Sequence, residues 1–365
     1  MKIAQIAPLW ESVPPVLYGG TERVVSCITE ELVRQGHEVT LFASGDSTTK
    51  ARLIPMCPEA LRPSKVAINY DAPVTAMLEK VFGAAEQFDI IHSHLEFIPF
   101  PLARRSRTPM LTTLHARLDL PELVPVFRKF ADLPLVALSD IQRESLPWAN
   151  WQATIPPGLP THLYASHADQ GQYLVFLGRV APEKGLDVAI ELAKQVDMPL
   201  RIGAKIDAQH AEYYRTVIEP LLDHPLIEFV GEVTDIEKDD LLGHAYALLA
   251  PCDWPEPFGL SLIESLACGT PIVAYRRGAI PEIIDHGVTG FVCDTFDDMA
   301  QAVRHVSLLQ RMHCRQVFNA RFTAERMVQA YIGVYEQILE VPGKTPAASE
   351  NQSTGLAASS QLSPS

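Results

Sequence analysis

The chain is expected to fold as an α/β protein of two Rossmann-like, doubly wound parallel-sheet domains that face a cleft. Three observations predict this. Apolar runs of strand length alternate with stretches of helical periodicity, as in parallel sheets covered on both faces. The alternation stops at a Pro-rich connector and then starts again. At 365 residues, the chain is long enough for two hydrophobic cores.

The first half opens with KIAQIAP (2–8), an apolar run bounded by proline that reads as a strand and not as a signal peptide. A loop with Tyr18-Gly19-Gly20 follows, and Thr21 is placed to cap a helix. In that helix Val24, Val25, Ile28, Leu32 and Val33 recur at helical spacing, and Gly36 ends it. VTLFASG (39–45), DIIHSH (89–94), MLTTLH (110–115) and PLVALS (134–139) are further strands, with helical segments between them. The connector is TIPPGLPTHLY (154–164). Beyond it come strand YLVFLGRV (173–180), helix GLDVAIELAKQV (185–196) and strand PLRIGAKI (199–206). IEFVGEV (227–233), YALLAPCD (246–253) and PIVAYR (271–276) complete the strands. A last helix over about 322–340 carries Phe322, Met327, Val328, Tyr331, Val334, Tyr335 and Ile338 on one stripe. The expected division is 1–157, 158–320, a separate terminal helix 321–340, and a polar low-complexity tail 341–365 that is expected to be disordered.

Composition narrows the function classes. The chain is 47% hydrophobic and 20% charged, with a net charge of −14. Residues 1–155 carry 15 basic and 17 acidic groups, and the remainder 15 and 27, so nucleic acid is not an expected partner. No run approaches the ~20 apolar residues of a membrane span. The small basic clusters at 102–107 and 127–129 suit an anionic acceptor or a membrane surface, but solvated helix faces are the favoured reading. Six cysteines in apolar surroundings, without a Cys-x-x-Cys pair, read as reduced thiols of a cytoplasmic protein.

The most informative stretch is EPFGLSLIESLACGTPIVAY (256–275). Pro257 forces Glu256 onto a loop. A helix is expected from about Phe258–Leu260 to Ala267, with Gly269 as its left-handed stop and Glu264 inside it. The amides of Phe258, Gly259 and Leu260 then face outward as anion donors. Two carboxylates beside such donors suit a ligand with both hydroxyls and phosphates. Ligands of open α/β sheets bind beyond the strand C-termini. Gly19, Gly20, His115, Arg179 and Glu256 all follow strands, so they are expected on one inter-domain rim.

Together with FLGRVAPEKGLDVAIELA (176–193), GAIPEII (278–284) and GVTGF (287–291), this stretch resembles a family 4 retaining glycosyltransferase of the GT-B fold, over roughly residues 1–340. The resemblance implies that Glu264 holds ribose hydroxyls and Glu256 contacts the donor sugar. It implies that Arg179 and Lys184 grip a diphosphate, that the Phe258, Gly259 and Leu260 amides lie by the sugar and diphosphate, and that Gly19-Gly20 approaches the phosphates. It places His115 near the donor sugar and Val233 beside the base, and it sends the terminal helix back onto the first domain. It also implies a nucleotide-sugar substrate, UDP-glucose first, with no separate cofactor and no metal. The sequence has no Asp-x-Asp and no cluster at metal-ligand spacing, which leaves side-chain cations to stabilise the leaving group. Three departures bear on the acceptor and hinge: Pro157 where an Asn is usual, Ala116 where an Asp is common, and Trp254-Pro255 before Glu256.

Rival classes fit less well. A dinucleotide enzyme needs Gly-x-Gly-x-x-Gly after its first strand, and this loop is long with differently placed glycines. A sugar-nucleotide epimerase shares the two-domain build without the paired-glutamate context, and a phosphorylase needs a much longer chain. A non-catalytic nucleotide-sugar-binding protein stays open, and donor hydrolysis discriminates it. His92 and His94 are expected to be packing residues, and GEVTDIEKDDLL (231–242) a solvated helix start.

Overall fold

The computed structural model describes residues 1–62 and 69–340, so the expected disordered tail lies outside the described residues. Among the described residues thirteen strands form two all-parallel sheets. The first holds β1 (Lys2–Ile6), β2 (Glu38–Ala43), β3 (Arg52–Pro55), β4 (Ile90–Ser93), β5 (Met110–Thr113), β6 (Leu135–Ala137) and β7 (Trp151–Thr154), in the order β3-β2-β1-β4-β5-β6-β7. The second holds β8 (Leu174–Arg179), β9 (Leu200–Lys205), β10 (Ile227–Gly231), β11 (Ala247–Ala250), β12 (Ile272–Tyr275) and β13 (Gly290–Cys293), in the order β10-β9-β8-β11-β12-β13. Each sheet reverses its winding once, between β1 and β4 and between β8 and β11. Those crevices are where a parallel sheet receives ligands.

The inner strands follow from their sequence. Ile3, Ala4 and Ile6 of β1 are fully buried, as a strand covered on both faces requires. Strands β3, β7 and β13 were not expected. All three are sheet edges of four residues, and β3 and β7 are only half-buried, which erases the apolar run that marks a central strand. Most expected strands are one or two residues too long. β5, for example, ends at Thr113, two residues before His115.

One helix start also differs. The first helix runs Gly20–Arg34, with Gly19 in extended conformation before it and no side-chain cap. Thr21 is inside the first turn and is not the cap. Gly19 lies so close to Pro15 that an added Cβ would sit 2.6 Å from the Pro15 Cβ, and the chain enters the helix two residues earlier than the polar-cap pattern suggests.

The chain crosses between the sheets twice, and the crossings are bonded to each other. Leu159 N–H donates to the Phe322 carbonyl at 2.9 Å, and Ala324 N–H donates to the Leu159 carbonyl at 2.9 Å. Gly158 is needed here, because a Cβ would meet the Thr323 carbonyl oxygen at 2.3 Å. The last helix, Ala324–Glu340, packs on the first helix and on the first sheet, where Tyr331 bonds to Thr113 and Tyr335 to His92. Below the second sheet, the buried Arg311 of helix Arg311–Arg321 donates to the carbonyls of His167, Gly243 and Ala245 and to Thr270 Oγ1. All six cysteines are free thiols.

Candidate active site

A cleft of about 940 Å³ opens between the two sheets at their strand C-termini. Every residue singled out from the sequence lines it: Gly19, Gly20, His115, Arg179, Lys184, Val233, Glu256, Phe258, Gly259, Leu260 and Glu264. Loops after β1 and β5 supply the first three, and elements of the second sheet supply the others.

On the second-sheet wall the helix Leu260–Ala267 begins one turn from Glu256. Gly259 precedes it at φ 93°, a left-handed conformation that favours glycine, and Gly269 after it is left-handed too. Glu264 is 3% exposed in this helix. Its Oε1 accepts from Tyr164 Oη at 3.0 Å and from Lys238 Nζ at 3.0 Å, and its Oε2 has no protein partner among the described residues. Glu256 is held in a similar way. Its Oε2 accepts from Lys184 Nζ, from Trp254 Nε1 at 2.7 Å and from Cys252 Sγ at 3.8 Å, and its Oε1 has no protein partner among the described residues. Gly278 lets its loop press on this segment, since a Cβ there would lie 2.2 Å from the Glu256 carbonyl oxygen. Both carboxylates are therefore fixed through one oxygen and available through the other.

The two cations are not idle. Lys184 is paired with Glu256 and lies 4.8 Å from the centre of the Trp254 ring. Burial works to lower the Lys184 pKa, but the charge and hydrogen bond of Glu256 together with the neighbouring Tyr18 and Cys252 outweigh it and hold the ammonium above its ordinary value. Arg179 bridges Asp207 at 3.4 Å and Glu183 at 3.5 Å. An incoming anion would exchange these carboxylates for its own oxygens.

On the first-sheet wall, His115 Nε2 lies 2.9 Å from His94 Nδ1. Burial holds His115 well below the usual histidine pKa, so the ring is neutral at neutral pH. Its backbone N–H and that of Ala116 donate to Glu96 Oε1, at 2.8 and 3.1 Å. Glu96 is left-handed at φ 53°, a strained conformation for a non-glycine residue, and burial pushes its carboxyl up to about 7. Glu22 also lines the cleft, in the first turn of the first helix, and burial raises it to about 7.

Several functional groups were not legible from the sequence. Arg23 reaches across the cleft to Asp235 at 2.8 Å, and Glu11 to Lys205 at 3.0 Å. Asp235 and Lys238 belong to the segment read as a solvated helix start. The capping box of Thr234 and Glu237 does open a helix there, but Lys238 turns inward to Glu264. Ser139 Oγ donates to the Pro257 carbonyl at 2.7 Å, and Glu282 accepts from the amides of Asp140 and Ile141 at 2.8 Å. A linear signal existed only for the Glu22-Arg23 pair, two charges at the head of an apolar helix stripe. The others depend on how the two halves meet.

With this geometry in hand, comparison with known proteins is decisive for the family. The Glycosyltransferase Family 4 model matches residues 18–153, and the Glycosyl transferases group 1 model matches residues 165–321. The phosphatidyl-myo-inositol mannosyltransferase of Mycobacterium leprae is 25% identical over 96% of this chain and 100% of its own length. The N-acetyl-alpha-D-glucosaminyl L-malate synthase of Bacillus anthracis is 36% identical, but over only 23% of this chain and 24% of its own. Among solved structures, sucrose-phosphate synthase from Thermosynechococcus elongatus superposes with TM-score 0.74 at 18% identity, covering 93% of this chain and 99% of its own. AviGT4, a glycosyltransferase of avilamycin A biosynthesis, gives 0.70 at 23% identity, over 93% and 98%. Anabaena HepE, solved with UDP and glucose, gives 0.71 at 18% identity, over 92% and 100%. The matched models, the full-length relative and the paired α/β sheets agree: the chain belongs to the family 4 glycosyltransferases of the GT-B fold.

Proposed function

We propose that the protein moves a hexose from a nucleoside-diphosphate sugar to an acceptor hydroxyl, with retention of anomeric configuration and without a metal ion. The observation that carries this reading is the pair Glu256 and Glu264, each held through one oxygen and open through the other beside Lys184 and Arg179. In this reading Glu264 takes the ribose hydroxyls and Glu256 the hydroxyls of the sugar. Lys184, Arg179 and the amides of Phe258, Gly259 and Leu260 receive the diphosphate as charge builds on it. Gly19 and Gly20 close over the phosphates, Val233 borders the base, and His115 meets the sugar. No protein nucleophile is required, because the leaving phosphate takes the acceptor's proton as the new bond forms on the same face. UDP-glucose is the first donor to assay, in keeping with the HepE complex. GDP-mannose is the second, in keeping with the mannosyltransferase relative. The acceptor stays open.

The direct test is release of nucleoside diphosphate from each donor, with and without EDTA, and the anomeric form of the transferred sugar. A protein that binds UDP-glucose or GDP-mannose and never cleaves either is a binding protein, and the reading fails.

Two variants test the roles. Glu264→Ala is expected to weaken binding of the donor by about 1.5–3 kcal/mol, the scale of a charged hydrogen bond. Calorimetry on the folded variant reads it, and unchanged affinity removes Glu264 from the ribose site. His115→Ala is expected to lower kcat by at least roughly tenfold while donor affinity changes little, because a group at the reacting centre acts mainly on the transition state. Wild-type turnover would return His115 to a packing role.

A further inference from the structure

We infer that a buried hydrogen-bond chain, running from the terminal helix through the first sheet, holds the His115 ring with its proton on Nε2 and leaves Nδ1 bare, as an acceptor for a hydroxyl of the donor sugar. This rests on the reading of His115 as part of the donor-sugar site.

The direction of each bond follows from its neighbour. Tyr335, on the helix Ala324–Glu340, is fully buried, and its hydroxyl lies 2.7 Å from His92 Nδ1. The hydroxyl also meets the Gln5 side chain, whose amide nitrogen can only donate to it, so the phenol's own proton goes to His92 Nδ1. His92 Nδ1 therefore carries no proton. Burial keeps His92 neutral, so its proton is on Nε2, which donates to Thr113 Oγ1 at 2.8 Å. Gln5 lies between the two buried histidines. Its amide nitrogen faces that pair, 3.3 Å from His92 Nδ1 and beside the Tyr335 hydroxyl, which turns its Oε1 to His94 Nε2 at 3.1 Å. An amide oxygen only accepts, so His94 carries its proton on Nε2. Burial, and then the neighbouring His92 and His115, keep His94 neutral, and its Nδ1 is left as an acceptor. His115 Nε2, 2.9 Å away, has to donate to it.

The consequence lies in what the cleft offers. A neutral ring with a bare Nδ1 accepts from a hydroxyl and repels a phosphate oxygen, whereas an imidazolium or an Nδ1–H tautomer would donate to either. A sugar hydroxyl that donates to this nitrogen becomes richer in electrons, which favours the electron-poor sugar of the transition state. Glu96 holds the backbone at this point through the His115 and Ala116 amides, so both the place and the polarity of the ring are set. Gln5 and His94 act through His115 and are positioning residues. The second sheet takes no part in the chain, although the second crossing delivers Tyr335.

The test is spectroscopic. The full-length protein labelled with ¹⁵N-histidine, with His115 assigned by loss of its signals in His115→Ala, should show a proton on Nε2 and a bare Nδ1. Gln5→Leu removes the oxygen that orients His94. It should populate the Nδ1–H form of His115 and lower kcat for UDP-glucose or GDP-mannose by roughly tenfold or more, the direction seen when a catalytic histidine is held in the wrong tautomer. UDP affinity should stay within about twofold, since only the transition state loses a partner. A wild-type His115 with its proton on Nδ1, or a doubly protonated ring at neutral pH, overturns the inference, and that spectrum decides even if Gln5→Leu fails to fold. A folded Gln5→Leu with unaltered tautomer and kcat overturns it as well. His115→Ala at full activity would defeat the proposed function while leaving the tautomer result in place.

Discussion

Lys184→Ala is expected to lower turnover of the nucleotide sugar by about 10²–10³, the scale for losing one preorganised charge at a developing anion. The geometry gives a reason for an effect at the upper end. Lys184 is bonded to Glu256, so its removal takes away a cation and also leaves that carboxylate unneutralised beside the incoming phosphates. Arg179→Ala should fall in the same range, because Asp207 and Glu183 lose their cation in the same way. The double variant should lose less than the product of the two, since both cations serve one diphosphate. Glu256→Gln in the Lys184→Ala background should recover part of donor binding by removing the exposed charge. Steady-state assays of the wild type and the four variants, each with and without EDTA, read these outcomes. Single variants near wild type, with wild-type activity abolished by EDTA and restored by magnesium, would transfer the charge-stabilising role to a metal.

Arg311→Ala should cost about 3–5 kcal/mol of stability, the range for breaking a buried, fully bonded charged group. Its guanidinium is 7% exposed and donates to three carbonyls and one hydroxyl, at 2.6 to 2.9 Å. Truncation leaves the oxygens of His167, Gly243 and Ala245 buried without donors, each at a cost of its own. Arg311→Lys should not rescue it, because an ammonium cannot reach in the several fixed directions of a planar fork. Urea denaturation of the second-sheet domain reports the loss. The folded variant should keep wild-type affinity for UDP, as Arg311 lies outside the cleft. A loss under about 1 kcal/mol would mean that water replaces the guanidinium at all three carbonyls.

What could be read from the sequence divides along physical lines. The central strands were legible because burial on both faces leaves a near-continuous apolar run, as in residues 247–250 and 272–275. β3 and β7 were not, because an edge strand with half-exposed side chains has no such run. The cleft residues were found from their place after strands and from the paired glutamates, both properties of the linear chain. The partners that orient them were not. Lys238 on Glu264, Arg23 on Asp235, and Gln5 and His94 behind His115 are contacts between segments far apart in sequence. The sequence marks His92 and His94 only as packing residues. They are buried, but the polar chain they form is not inert filling. Thr21 shows the opposite error, where a valid capping preference yielded to the close approach of Gly19 and Pro15.

The bonded crossings at Leu159 and Thr323 have a mechanical meaning. A single connecting strand is a swivel, and the bodies it joins can turn about the strand as well as bend across it. Two strands bonded side by side resist twist and leave one soft rotation, about a line through the pair, as a book opens about its spine. Motion at the cleft then grows with distance from that spine and follows a single coordinate. Contacts that bridge the cleft, such as Arg23 with Asp235 and Glu11 with Lys205, would part as the cleft opens along it. A side chain at position 158 would wedge the two strands apart and bend the spine itself.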